Sequence, residues 1–226
     1  FIEGIFTAML LSVPDFLLVA YFESPPHNFS PVAASLFMIL FGVPGTLFGS
    51  IVFSKYSDTL AKRNIKNRIY FIVFSLIGIF FLFSAVFLIP IPSFTIQEGN
   101  NILILLSYPV IWMLGLVAFI VRSIFGLYNI NQPPLIQKIN LPEAQGFISS
   151  TNQFLESIGY GTGPILAGIL LSIFNQNYQI TVILTMSFGI IGALFWTFAI
   201  NWVEEDTKRI SKILEKRNHE LRKTIS

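Results

Sequence analysis

Lysine and arginine are placed along this 226-residue chain in a pattern that leaves few possible folds. Six long apolar runs divide the sequence, and the linkers between them alternate in charge. Glu23 to Ser30, Pro92 to Asn101 and Asn175 to Asn177 contain no Lys or Arg. The remaining linkers and the tail hold nearly all of the 14. Lys55, Lys62, Arg63, Lys66 and Arg68 crowd one linker, Lys138 sits in the next, and seven more follow Val203. Linkers on the cytoplasmic side of a membrane carry excess Lys and Arg. The alternation predicts an all-α polytopic protein of the cell membrane that crosses six times, with both ends cytoplasmic.

Composition agrees. Only 12% of residues are charged, against about 25% in a soluble domain. Pro31–Phe53, Ile69–Ile91, Ile102–Val121 and Ser157–Val203 carry no charge at all. About 20 apolar residues cross the hydrocarbon core as a helix. The last run therefore belongs to two crossings, divided at the polar turn Asn175-Gln176-Asn177. Helices are predicted over roughly 1–22, 31–53, 69–91, 102–137, 143–174 and 178–203. The fourth is expected to be long, with interruptions around Gly126 and Pro133-Pro134. Residues 204–226 form a cytoplasmic amphipathic tail, in which Ile210, Ile213, Leu214, Leu221 and Ile225 recur at helical spacing. The chain opens on Phe1, almost directly inside an apolar run, and reads as a fragment of a longer protein.

Several function classes find no support. There is no cysteine, which excludes disulfides and thiolate metal sites. The linker and tail cations are needed for orientation, so nucleic acid is not an expected partner. No His/Cys cluster or Ser–His arrangement in the runs supplies enzyme chemistry, and no cofactor is expected. The partner composition does demand is the lipid bilayer.

Asp15, Arg122 and Glu156 stand well inside apolar runs. A charge at the centre of a membrane helix costs roughly 2.5–3.5 kcal/mol on insertion scales. Such residues face the bundle interior or a water-filled cavity. Their neighbours fit that placement. Ser149, Asn152, Glu156, Gly159 and Gly163 recur at steps of three and four, as do Gly115, Ala118, Arg122, Gly126, Asn129 and Pro133, and over a shorter length Ala8, Ser12 and Asp15. A solute pathway is predicted, lined by Asp15, Arg122, Asn152 and Glu156, with Asn129, Gln132 and Gln153 as further members. Arg122 would meet an anionic group or pair with Asp15 or Glu156. A buried ion pair that only locks helices together is the structural alternative, and Arg122 snorkelling at a helix end is another. Gly45 with Gly49 and Gly159 with Gly163 read as packing positions, beside bends at Pro44 and Pro164.

The segment Gly49 to Arg63, with Asp58, Lys62 and Arg63 in its second half, resembles the loop motif of the major facilitator superfamily between the second and third helices of each half. Ser54, Thr59 and Ala61 depart from that pattern. Asn140-Leu-Pro-Glu-Ala-Gln-Gly146 is similar to the stretch that opens the fifth helix of a half, and Gly159-x-Gly-x-Gly163-Pro164 to the Gly-Pro-rich helix itself. The resemblance implies half of a major facilitator fold, built as a 3+3 inverted repeat. The C-terminal half is expected, with the spinster-like branch nearest. It further implies a missing N-terminal half as partner and a central cavity that alternates in access. It implies a cytoplasmic gating loop at Asp58, Lys62 and Arg63, and a small solute; the depth of Glu156 and Asp15 makes either a candidate carrier of a coupling proton or ion. Leu10 to Pro14 and Leu105 to Pro109 echo each other, as equivalent segments of a repeat would. A non-transporting six-helix scaffold or receptor-like protein is the rival reading.

Overall fold

A computed structural model describes residues 2–225. The described residues are mostly helical, with no strand among them, and the one long connection, 87–108, holds two single-turn helices. Six helices are long and apolar enough to cross a membrane: α1 (Ile2–Glu23), α2 (Pro31–Arg63), α3 (Lys66–Val86), α4 (Pro109–Lys138), α5 (Gln145–Ile173) and α6 (Tyr178–Ala199). A seventh, α7 (Val203–Ile225), is the polar tail. Helix α5 is entered through the 3-10 turn Pro142–Ala144.

The ends follow local chemistry. Ser30 caps α2 by accepting a hydrogen bond from the Ala33 N–H, with Pro31 in the first turn. Asn177 caps α6 through the Ile180 N–H. At the end of α5, Asn175 and Gln176 take left-handed backbone angles, φ 51° and 64°. The Gln176 N–H then reaches back to the Leu171 carbonyl at 2.8 Å, satisfying a group that a helix end leaves orphaned. The polar triplet read as a turn acts through that geometry.

Several predicted boundaries need correction. Helix α2 does not stop at Phe53 but continues to Arg63. No breaker intervenes before Asn64, and cations in the last turn, Lys62 and Arg63, suit the negative helix end. Asp58, Lys62 and Arg63 thus lie on a helix, not in a loop. Helix α4 begins at Pro109 rather than 102, because a residue before proline avoids helical angles; Tyr108 is extended. Of the predicted stretch before Pro109, only the single turn Ile102–Leu105 is helical. The predicted interruptions at Gly126 and Pro133-Pro134 are absent; α4 is continuous over 30 residues. Pro109 therefore opens a helix while Pro14 sits in the middle of α1, so the two echoing segments are not structurally equivalent.

Contacts between elements are selective. Helix α1 packs on α5 and α6, α4 packs on α2 and α3, and α3 meets α6. Glycines set the closest approaches. A side chain at Gly49 would collide with the backbone of Ser123 in α4, and one at Gly159 with the Ile5 carbonyl of α1. Gly45 and Gly163 repeat those approaches one turn away. Outward positions such as Phe74, Phe81, Leu103 and Ile165 are apolar and exposed, as lipid-facing positions require.

The linkers sort into two ends. At one, Asn28 donates to the Phe94 carbonyl at 2.8 Å, Tyr178 to the Ala20 carbonyl at 3.2 Å and Gln179 to the Phe87 carbonyl at 3.1 Å. The two longer cation-free linkers are bonded to each other there, and the start of α6 to the ends of α1 and α3. At the other, basic end, Lys66 pairs with Glu204 at 3.6 Å and Arg217 with Glu143 at 2.6 Å, joining α3 and the start of α5 to the tail.

Candidate functional site

Three polar assemblies lie within the bundle, and the sequence-predicted residues divide among them. The first is an ion pair between Asp15 of α1 and Arg122 of α4. Arg122 lies near the middle of its helix, which removes the reading of a cation at a helix end. Its guanidinium also sits 5.6 Å from the Phe125 ring centroid, a cation–π distance. The pair is not sealed: Asp15 is half exposed. It borders a groove of about 520 Å³ whose far wall is α2, including Ser35, Met38, Gly42 and Thr46.

That wall is irregular for a reason. Met38–Gly42 is a π-helical turn just before Pro44. Pro44 has no N–H to offer the Leu40 carbonyl, so the ladder is disturbed at this point. Widened turns of this kind often accompany functional sites. Here it brings Gly42 against the Arg122 side chain, where an added methyl would lie 3.6 Å from Cγ.

The second assembly centres on Glu156 of α5. Its Oε1 accepts from Gln132 Nε2 of α4 at 2.6 Å and from Asn152 Nδ2 at 2.7 Å. Gly4 of α1 closes over it. Gln132, Asn152 and Glu156 are thus brought together, but apart from Asp15 and Arg122. The expectation of one cavity holding all three intramembrane charges becomes two sites. The α5 stripe explains the split: Gly159 and Gly163 are used to seat α1 rather than to line a space. Asn129 and Gln153 are exposed and join neither cluster.

The third assembly joins α2, α3 and α4 at the basic end. Arg68 pairs with Asp58 at 2.6 Å and donates to the Ile130 carbonyl at 3.1 Å and to Asn131 Oδ1 at 3.4 Å. Ser57 donates to the same Oδ1 at 2.5 Å. Asn131 is fully buried and returns a bond to the Leu127 carbonyl at 2.8 Å. The Ile130 carbonyl is the one left without a helical donor by Pro134, so Arg68 supplies what the proline removes. Asp58 of α2 thus pairs with Arg68 of α3 across the junction between the two helices. Lys62 and Arg63 are exposed and outside the network.

Sequence reasoning missed Arg68, Ser57 and Asn131, and it missed Glu3 and Trp196, which line a cavity at the basic end. Arg68 counted as one linker cation among five. The available signal was Pro134, which demands a donor from elsewhere. No metal-holding group of three or more His, Cys, Asp or Glu occurs among the described residues. Comparison with known proteins brings no match: no family model, no curated protein and no solved structure aligns with the chain.

Proposed function

We propose that this chain is one six-helix half, the C-terminal one, of a secondary transporter of the major facilitator type. It lies in the cell membrane with both ends cytoplasmic and moves a small solute by alternating access. The observation that carries the reading is the pattern of helix contacts. Exchanging α1, α2 and α3 with α4, α5 and α6 turns the α1–α5 and α1–α6 contacts into α4–α2 and α4–α3, and leaves α3–α6 unchanged. A 3+3 repeat requires that invariance. Under it α1 and α4 are equivalent, and these two helices supply Asp15 and Arg122.

The groove at that pair would form half of the central pathway, the rest coming from the partner half. An arginine and an aspartate side by side suit a solute with an anionic and a cationic group, each exchanging one partner of the pair. Glu156 is the candidate carrier of a coupling proton. The Asp58–Arg68 network would act as the latch on the cytoplasmic side, made in one state and released in the other.

The absence of native cysteine makes the orientation directly testable. Lys62→Cys in intact cells should resist an impermeant maleimide and react after permeabilisation. Labelling of intact cells would overturn the topology and the transporter with it. Coupling is tested by uptake under an imposed pH gradient. Transport that ignores the gradient and survives Glu156→Gln would remove the proton role alone.

A further inference from the structure

Helix α7 starts at the end of a spanning helix and does not leave that level. Only a turn separates Val203 from the last residue of α6, Ala199, and Trp202 within it is exposed, an aromatic at headgroup depth. Glu204 pairs with Lys66, the first residue of α3, and Arg217 pairs with Glu143 in the turn that opens α5. These two contacts are about 20 Å apart along the α7 axis. Both partners lie where spanning helices begin. Helix α7 therefore runs along the basic end of the bundle and does not project from it. One of its faces points at the bundle: Val203, Ile210, Leu214, Arg217 and Leu221 recur at helical spacing. Val203 is 3% exposed, Ile210 is half-buried and Arg217 reaches Glu143. Exposure on that face then rises to 38% at Leu214 and 62% at Leu221.

The apolar face thus outruns the protein beneath it. In a membrane, what lies beside the start of α5 at that level is the headgroup layer. The charge of α7 changes at the same place. Residues 203–215 carry four carboxylates and three cations. Residues 216–223 carry four cations, Lys216, Arg217, Arg222 and Lys223, and one carboxylate, Glu220, which pairs with Lys216 at 3.9 Å. A surface helix with an apolar side chain turned toward the interface and cations around it is held by apolar burial and by attraction to anionic headgroups. We propose that residues 216–223 dock on anionic lipid beside α5, with Leu221 at the interface and Arg222 next to it facing the headgroup charge. The ion pair Arg217–Glu143 sets the start of this stretch at the right height. Under the orientation proposed above, the leaflet concerned is the cytoplasmic one, where anionic lipid is found.

The test uses the whole chain, which has no native cysteine, in nanodiscs of phosphatidylcholine alone or of an equimolar mixture with phosphatidylglycerol. Asn218→Cys, one turn before Leu221 on an exposed stretch, carries a nitroxide. Its collisions with oxygen report lipid, and its collisions with a nickel chelate report water. Adding the anionic lipid should raise the first and lower the second, and high salt should reverse the change. Arg222→Gln should lower the ratio of docked to free helix about fivefold, the effect of one cation near an anionic surface. Leu221→Asp should abolish docking. Both variants lie on the exposed end of the tail, and an unchanged thermal midpoint will show that the bundle is intact. Equal accessibility in the two lipids would overturn the proposal, as would docking that survives Leu221→Asp. Protection from both reagents in phosphatidylcholine would assign the stretch to a protein surface and overturn it equally. Discs expose both faces of the bilayer, so the outcome depends neither on which way the protein is inserted nor on whether it transports anything.

Discussion

At the scale of single residues, Arg68 and Asn131 show how a buried polar network satisfies itself inside a helix bundle. Arg68 faces Asp58, the Ile130 carbonyl and Asn131, and Asn131 is bonded in turn by Ser57. Each partner satisfies a group that would otherwise be orphaned. Asn131→Leu should therefore leave Ser57 and one Arg68 donor unpaired. We expect a loss of about 1–3 kcal/mol, the range for stranding a buried polar group, read as a lower thermal midpoint in detergent. Arg68→Leu should cost more than Arg68→Lys, since the ammonium still neutralises Asp58. Lys66–Glu204, which is part-buried, and Arg217–Glu143, which is exposed, are surface pairs of a class worth about 0–1 kcal/mol each. Asn131 was illegible in the sequence because nothing in an apolar run distinguishes a buried asparagine from one in a pathway. Asp15 and Arg122 were legible, because a charge in hydrocarbon must find a partner.

At the scale of elements, small residues decide which helices meet. Gly49 admits the α4 backbone at Ser123, and Gly159 admits the α1 backbone at Ile5. A side chain at either position has backbone to displace, not a flexible neighbour. Gly49→Val and Gly159→Val should each destabilise by about 2–3 kcal/mol, at the upper end of overpacking costs. Crosslinking of cysteine pairs across the α2–α4 and α1–α5 seams should fall in parallel. Unchanged crosslinking would show that the seams lie elsewhere. The small-xxx-small spacing predicted packing at both seams, and the structure agrees. What it could not foretell was direction. The α5 stripe of Ser149, Asn152, Glu156, Gly159 and Gly163 shares one helix face. Its glycine half is consumed by α1, and its polar half closes on Gln132.

At the scale of the whole molecule, the cation-free end is held by an interlocked cap. His27 is buried there, edge-on to Tyr21 at 4.7 Å, with its Nδ1 3.4 Å from the Pro92 carbonyl. Burial pushes its pKa below the ordinary value of 6.5, and the Pro92 carbonyl only partly offsets this. The unfolded chain thus takes up the proton before the folded one does. Stability is fully present above pH 6.5 and is lost as pH falls through that value toward the lower folded pKa. Melting of the purified protein between pH 7.5 and 6, on either side of the ordinary His value, should show a midpoint that drops on acidification. His27→Gln should flatten the dependence. An unaltered slope would mean that the cap does not report this imidazole.

The primary structure by itself determined that the chain is a stack of six long apolar helices and which linkers share an end. Both follow from one-dimensional quantities: the length of an uncharged run against the thickness of hydrocarbon, and the placement of cations between runs. It also determined that Asp15, Arg122 and Glu156 could not face lipid. Only the tertiary structure decided that Asp15 meets Arg122 while Glu156 turns to Gln132 and Asn152. Partner choice depends on the angular position of each side chain about its helix and on which helices lie adjacent. Both are set by close approaches at glycine and by carbonyls that prolines leave free, and neither can be summed along a sequence. The same is true of Glu3 and Trp196, which come from opposite ends of the chain and acquire a shared cavity only when α1 and α6 pack side by side.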